Sequence, residues 1–138
     1  MPRTLQVDPA DAVPIWRQIE DGIRRLVAIG ALAPGRPIPS VRDLSRELRV
    51  NPATVARAYQ RLTDEGLLTV RRGEGTFVAE TLPALPAPER RRALADGATK
   101  YASLAVTVGA HRREAVDAVE EAFARLQGAG ATKEGGRA

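Results

Sequence analysis

Apolar residues at Ile15, Ile19, Ile23, Leu26 and Val27 recur one, three or four positions apart, and this stripe predicts an amphipathic helix starting at Pro14. Proline suits a first helical turn, where the N–H it lacks has no partner. Gly30 ends the helix, and APGRPIP, with three prolines, reads as a loop. Ser40 can cap a second, short helix whose inner positions are Val41, Leu44 and Leu48, with Asp43 near its start. Arg49 and Val50 make a turn, Asn51 caps a third helix and Pro52 takes its first position. Val55, Ala58, Tyr59 and Leu62 form that helix's inner face, and Gly66 stops it. Two β-type runs follow, 67–71 and 76–80, joined by Arg72, Gly73, Glu74 and Gly75. Three helices and a glycine-tipped hairpin describe a winged helix-turn-helix.

Beyond the hairpin the pattern changes. Residues 81–89 carry Pro83, Pro86 and Pro88 and read as a stiff linker. Leu94, Ala98, Tyr101, Ala105 and Val108 then alternate four and three apart, and Val116, Val119, Phe123 and Leu126 repeat that rhythm after Gly109. The expected organisation is a polar arm (1–13), a winged helix-turn-helix domain (14–80), the linker, a two-helix region (90–127) and a disordered tail (128–138). The fold class is mostly α with a small β-hairpin wing. A helical pair of this size is too small to hold a core alone, so its two stripes predict dimerisation. Packing of the pair against its own winged helix is the alternative.

Composition narrows the chemistry. The chain of 138 residues has 21 basic and 17 acidic side chains, and its only lysines are Lys100 and Lys133. Arginine donates in a planar fork that suits phosphates and guanine edges. Absence of cysteine excludes a disulfide framework and thiolate metal sites. No apolar run approaches the roughly 20 residues of a membrane span, and the first residues lack a signal-peptide pattern, so a cytoplasmic location is expected. The sole histidine, His111, has no spaced ligand partner, and Asp8 and Asp11 sit in the arm, so neither a metal site nor an enzyme is expected.

The third helix raises the functional question. Asn51, Pro52, Ala53 and Thr54 keep its leading turn slim, as entry into a DNA groove requires. Arg57 lies one turn further on the face of Thr54, and Arg61 another turn on; Arg61 is equally well read as a salt-bridged residue. Arg42, at the start of the second helix, suits a phosphate or a guanine. Arg72, Gly73 and Gly75 form a wing tip able to approach the DNA backbone. Tyr59 reads as core and Trp16 as half-buried. Arg90, Arg91 and Arg92 read as a solvated run or as DNA-proximal.

From Pro14 to Val78 the string PIWRQIEDGIRRLVAIGALAPGRPIPSVRDLSRELRVNPATVARAYQRLTDEGLLTVRRGEGTFV resembles the DNA-binding domain of the GntR family of bacterial transcription regulators. The short helical C-terminal region resembles that of its YtrA subfamily. NPATVARAYQ is also similar to the MocR type, but that type's aminotransferase-like domain has no counterpart here, so no cofactor is implied. The resemblance implies a homodimeric repressor on double-stranded DNA with an inverted-repeat operator, control of transporter genes, and DNA contacts at the positions of Arg42, Asn51, Thr54 and the wing. It leaves room for a small-molecule effector. Pro52 and Ala56 depart from relatives that carry an arginine or serine, and an arginine, at those positions; base readout therefore shifts toward Arg42 and Arg57. A winged helix used for protein contact alone is the alternative, and a small enzyme is the less favoured reading, from another class.

Overall fold

The computed structural model describes residues 5–135, with side-chain surroundings through residue 128. The chain divides into two compact units, one reaching Pro83 and the other spanning Ala84–Ala129. The first holds α1 (Ile15–Ala28), β1 (Pro37–Ile38), α2 (Val41–Leu48), α3 (Pro52–Asp64), β2 (Leu68–Arg71) and β3 (Gly75–Val78). The second holds α4 (Ala87–Thr107) and, through Ala129, α5 (Arg112–Gly135).

Local chemistry sets the helix ends in the first unit. The Ser40 hydroxyl accepts from the Asp43 N–H at 3.0 Å, and the Asn51 carboxamide oxygen accepts from the Ala53 N–H at 2.8 Å. Each cap satisfies an orphan donor, a contribution of about 1 kcal/mol. Arg49 closes α2 in the left-handed region (φ 58°), with its N–H on the Ser45 carbonyl. That conformation turns the chain within two residues, so α3 starts at once. Pro14 stands just before α1 rather than in its first turn, and its carbonyl accepts from the Arg17 and Gln18 N–H groups at 3.0 Å.

One core fills the unit. Ile19 and Ile23 from α1, Leu44 from α2, Val55 and Leu62 from α3, and Leu68 and Val78 from the sheet are its fully buried large side chains. Removing each from water contributes about 1.5–3 kcal/mol. The sheet has the antiparallel order β1-β3-β2. Pro37 pairs with Phe77, so a strand lies where the sequence reads as loop. Two residues are too few to show alternation, and proline is tolerated on an edge strand. Arg71 pairs with Gly75, which shortens the expected four-residue link to Arg72, Gly73 and Glu74.

The expected arm is corrected in part. Leu5 is buried in the core and Val7 is partly buried against it. The Gln18 amide holds the segment: its oxygen accepts from the Asp8 N–H at 2.8 Å, and its nitrogen donates to the Asp8 and Val13 carbonyls at 2.9 and 2.8 Å. Gly22 leaves room for this docking, because a Cβ there would lie 2.4 Å from Leu5 Cδ1. Residues 1–4 lie outside the described residues.

In the second unit α4 begins at Ala87, inside the expected linker, with Pro88 in its first turn. Proline's fixed φ suits that position, so residues 87–89 join the helix and the linker shortens to 81–86. Gly109 (φ 78°) ends α4. The Tyr101 hydroxyl donates to the Ala115 carbonyl at 2.7 Å and ties the two helices together. The backbone of α5 runs on to Gly135, past Gly128, where the tail was expected to begin. Glycine costs a helix about 1 kcal/mol, but the alanine, lysine and glutamate that follow favour continuation. Residues 136–138 lie outside the described residues.

Candidate nucleic-acid interface

The leading turn of α3 is exposed at Asn51, Pro52 and Ala53, with Thr54 half-buried behind them. Asn51 uses its oxygen as the helix cap, which leaves its NH₂ group to face a ligand. Arg42 is exposed in the first turn of α2, and its backbone carbonyl accepts from the Ser45 hydroxyl at 2.9 Å. The inner face is Val55, Ala58, Tyr59 and Leu62, all buried. Tyr59 donates to the Pro39 carbonyl at 2.7 Å, and burial, with Glu47 and Asp43 nearby, pushes its hydroxyl far above the ordinary tyrosine range. It is a neutral core residue that pins the β1–α2 junction to α3.

The two arginines further along α3 lie against α1. The guanidinium of Arg57 sits 4.3 Å from the centre of the Trp16 ring, and that of Arg61 sits 4.9 Å from it. Arg61 also donates from Nε to the Glu20 carboxylate at 2.9 Å. Glu20 is buried and receives Arg24 as well, while Arg24 also reaches Glu65. Burial pushes the Glu20 carboxyl up, but the Arg61 and Arg24 hydrogen bonds and charges outweigh it and leave the group below its ordinary value. Arg61 therefore has a structural task between α1 and α3, the salt-bridged reading that its sequence left open. Trp16 and Glu20 were not among the candidate site residues. Each pair is spaced i, i+4 along its own helix, and only the packing of α1 on α3, which no local spacing reveals, brings the two pairs together.

At the wing, Arg72, Gly73 and Gly75 are exposed, with φ of 78° at Gly73 and 120° at Gly75. No heavy atom lies within 4 Å of a Cβ built at either glycine, so backbone conformation rather than space requires glycine there. Arg71 does not extend from the tip; it lies 4.1 Å over the Phe77 ring and 3.5 Å from Glu80.

The residues expected to dimerise occupy α4 and α5. Ala105 is buried and Tyr101 half-buried, while Leu94, Val108, Val116, Val119, Phe123 and Leu126 are exposed, Leu94 by 67% and Phe123 by 58%. Ala98 is exposed as well. Tyr101, Ala105, Val106, Val119 and Phe123 line an open groove of about 570 Å³. Among the described residues, no three His, Cys, Asp or Glu side chains form a group able to hold a metal. No helix there is long and apolar enough to cross a membrane.

Residues 16–78 match the model for bacterial regulatory proteins of the gntR family. The chain is 40% identical over 76 residues to the HTH-type transcriptional repressor YtrA of Bacillus subtilis, a match covering 55% of this chain and 58% of that protein. It is 33% identical over 112 residues to an HTH-type transcriptional regulator of Mycobacterium tuberculosis, covering 81% of this chain and 88% of that one. The solved structure of YtrA from Sulfolobus acidocaldarius, a GntR-family transcription factor, superposes with a TM-score of 0.56 at 33% identity, over 70% of this chain and 97% of that one. With its three helices, hairpin wing and short helical C-terminal unit, this chain belongs to the GntR family, in the YtrA subfamily.

Proposed function

We propose that the chain is a sequence-specific DNA-binding repressor that acts as a homodimer on an inverted repeat. The observation that carries this reading is the leading turn of α3. It is capped through Asn51 Oδ1, exposed through Ala53, and slim enough for a groove about 12 Å wide. In this reading Arg42 and Arg57 contact base edges or flanking phosphates, and Arg72 with Gly73 and Gly75 follows the backbone. Arg61 drops out of the contact set because Glu20 and Trp16 hold it. The exposed stripes of α4 and α5 supply the dimer contact, and a homodimer places two α3 helices on two half-sites. The repressor named YtrA in Bacillus subtilis supports the direction of regulation.

Selection of bound sequences from a random duplex pool tests the reading. A recovered inverted repeat, bound less tightly as salt rises, is the expected result. Replacing Arg57 with Ala then costs about 1–3 kcal/mol and relaxes preference at one base position. Replacing Arg72 with Ala weakens all duplexes alike. Recovery of no preferred sequence, with binding indifferent to salt, overturns the proposal and leaves a winged helix for protein contact.

A further inference from the structure

Trp16 and Glu20 on α1 face Arg57 and Arg61 on α3 as two rungs of one ladder. The rungs differ. Arg61 is anchored by an ion pair to a buried carboxylate. Arg57 is exposed, and the aromatic face of Trp16 is its contact. A guanidinium lying over a ring keeps its N–H donors in its own plane, free to form a fork to phosphate or guanine. An unsupported arginine on a helix surface samples many rotamers, and ordering it on binding lowers affinity about two- to twelve-fold.

We propose that Trp16 is a positioning residue for DNA recognition: its indole is the platform that aims the Arg57 guanidinium, while Glu20 holds Arg61 back from the DNA. The proposal rests on the DNA-binding reading and adds to it a specificity-determining residue on α1, outside the helix-turn-helix. Arg57 then enters the groove already oriented, so its selectivity depends on a residue that need not touch DNA. The contact is present with and without DNA, so what it adds to affinity is the ordering cost it removes in advance, about two- to twelve-fold.

The test uses the full-length protein, the operator recovered from the duplex pool and its single-base variants. Trp16→Leu keeps an apolar side chain but has no π face, and Trp16→Phe keeps a face without the indole N–H. Trp16→Leu is expected to weaken the operator about two- to twelve-fold and to flatten preference at the base position where Arg57→Ala does. Trp16→Phe restores most of both. Trp16→Leu combined with Arg57→Ala binds no more weakly than Arg57→Ala alone. Multiplicative losses in the double variant overturn the proposal. So does a uniform loss over all duplexes like that of Arg72→Ala, or a Phe variant as weak as the Leu variant, which would point to direct contact by the indole N–H. Should Trp16→Leu fail to fold, the wild type decides the matter by NMR. The Arg57 side-chain protons should keep their ring-current shift when operator is added, and loss of that shift overturns the proposal. A wild type that selects no duplex at all defeats the DNA-binding reading and the proposal with it; an operator-specific wild type with these variants unaffected defeats the proposal alone.

Discussion

The two units handle the same kind of residue in opposite ways. In the first, isoleucines, leucines and valines from three helices and three strands converge, and seven large side chains are fully buried. In the second, two long helices carry comparable apolar stripes, yet Ala105 is the one buried hydrophobic residue among those described. Three helices closed by a sheet can surround a core, whereas two helices can cover only one side of each other. The first unit closes a core of its own, and the second leaves most of its apolar stripes exposed.

The largest expected effect tests that contrast directly. A chain ending at Pro83 should remain folded as a monomer by light scattering, with operator affinity lower by about 10²–10⁴, the contribution linked sites can make. A truncated chain that stays dimeric and binds as tightly as the full chain would break the contrast. Next come two leucines in parallel. Leu62→Ala should destabilise the first unit by about 2–5 kcal/mol at any protein concentration, because it empties a closed site. Leu126→Ala should leave that melting transition unchanged and raise the concentration at which dimers form. A smaller effect sharpens the polar side. Glu20→Gln should cost about 1–3 kcal/mol at neutral pH, since it weakens charged hydrogen bonds to Arg61 and Arg24. The folded Glu20 lies below its ordinary value, so its stabilisation is present above about pH 4.3 and is lost as pH falls through the folded value. The slope of stability against pH in that acid range should flatten in the Gln variant.

Local signals were legible in the sequence. Ser40, Asn51 and Pro52 announce helix starts through side-chain chemistry that acts within three residues, and all three stand where that chemistry puts them. The glycines around Arg72 likewise marked the hairpin. What escaped depends on distant partners. β1 is a strand only because β3 lies beside it. Leu5 is an isolated leucine in a polar stretch, and its burial depends on Gly22 in α1. The Trp16–Arg57 contact spans 41 positions, so no local period reveals it. The proposed DNA contacts were legible as a set on α2, α3 and the wing. The separation of Arg57 from Arg61 was not, since both share one face of α3 and only α1 distinguishes them.

Trp16 is the chain's only tryptophan, and the helical pair carries Tyr101 as its sole tyrosine. Selectively excited indole emission therefore reports one place in the molecule, the seam between α1 and α3 beneath Arg57. Charged groups over an indole alter its emission, so the protein carries an intrinsic optical sensor. A titration with unlabelled duplex could be followed by that colour and intensity alone.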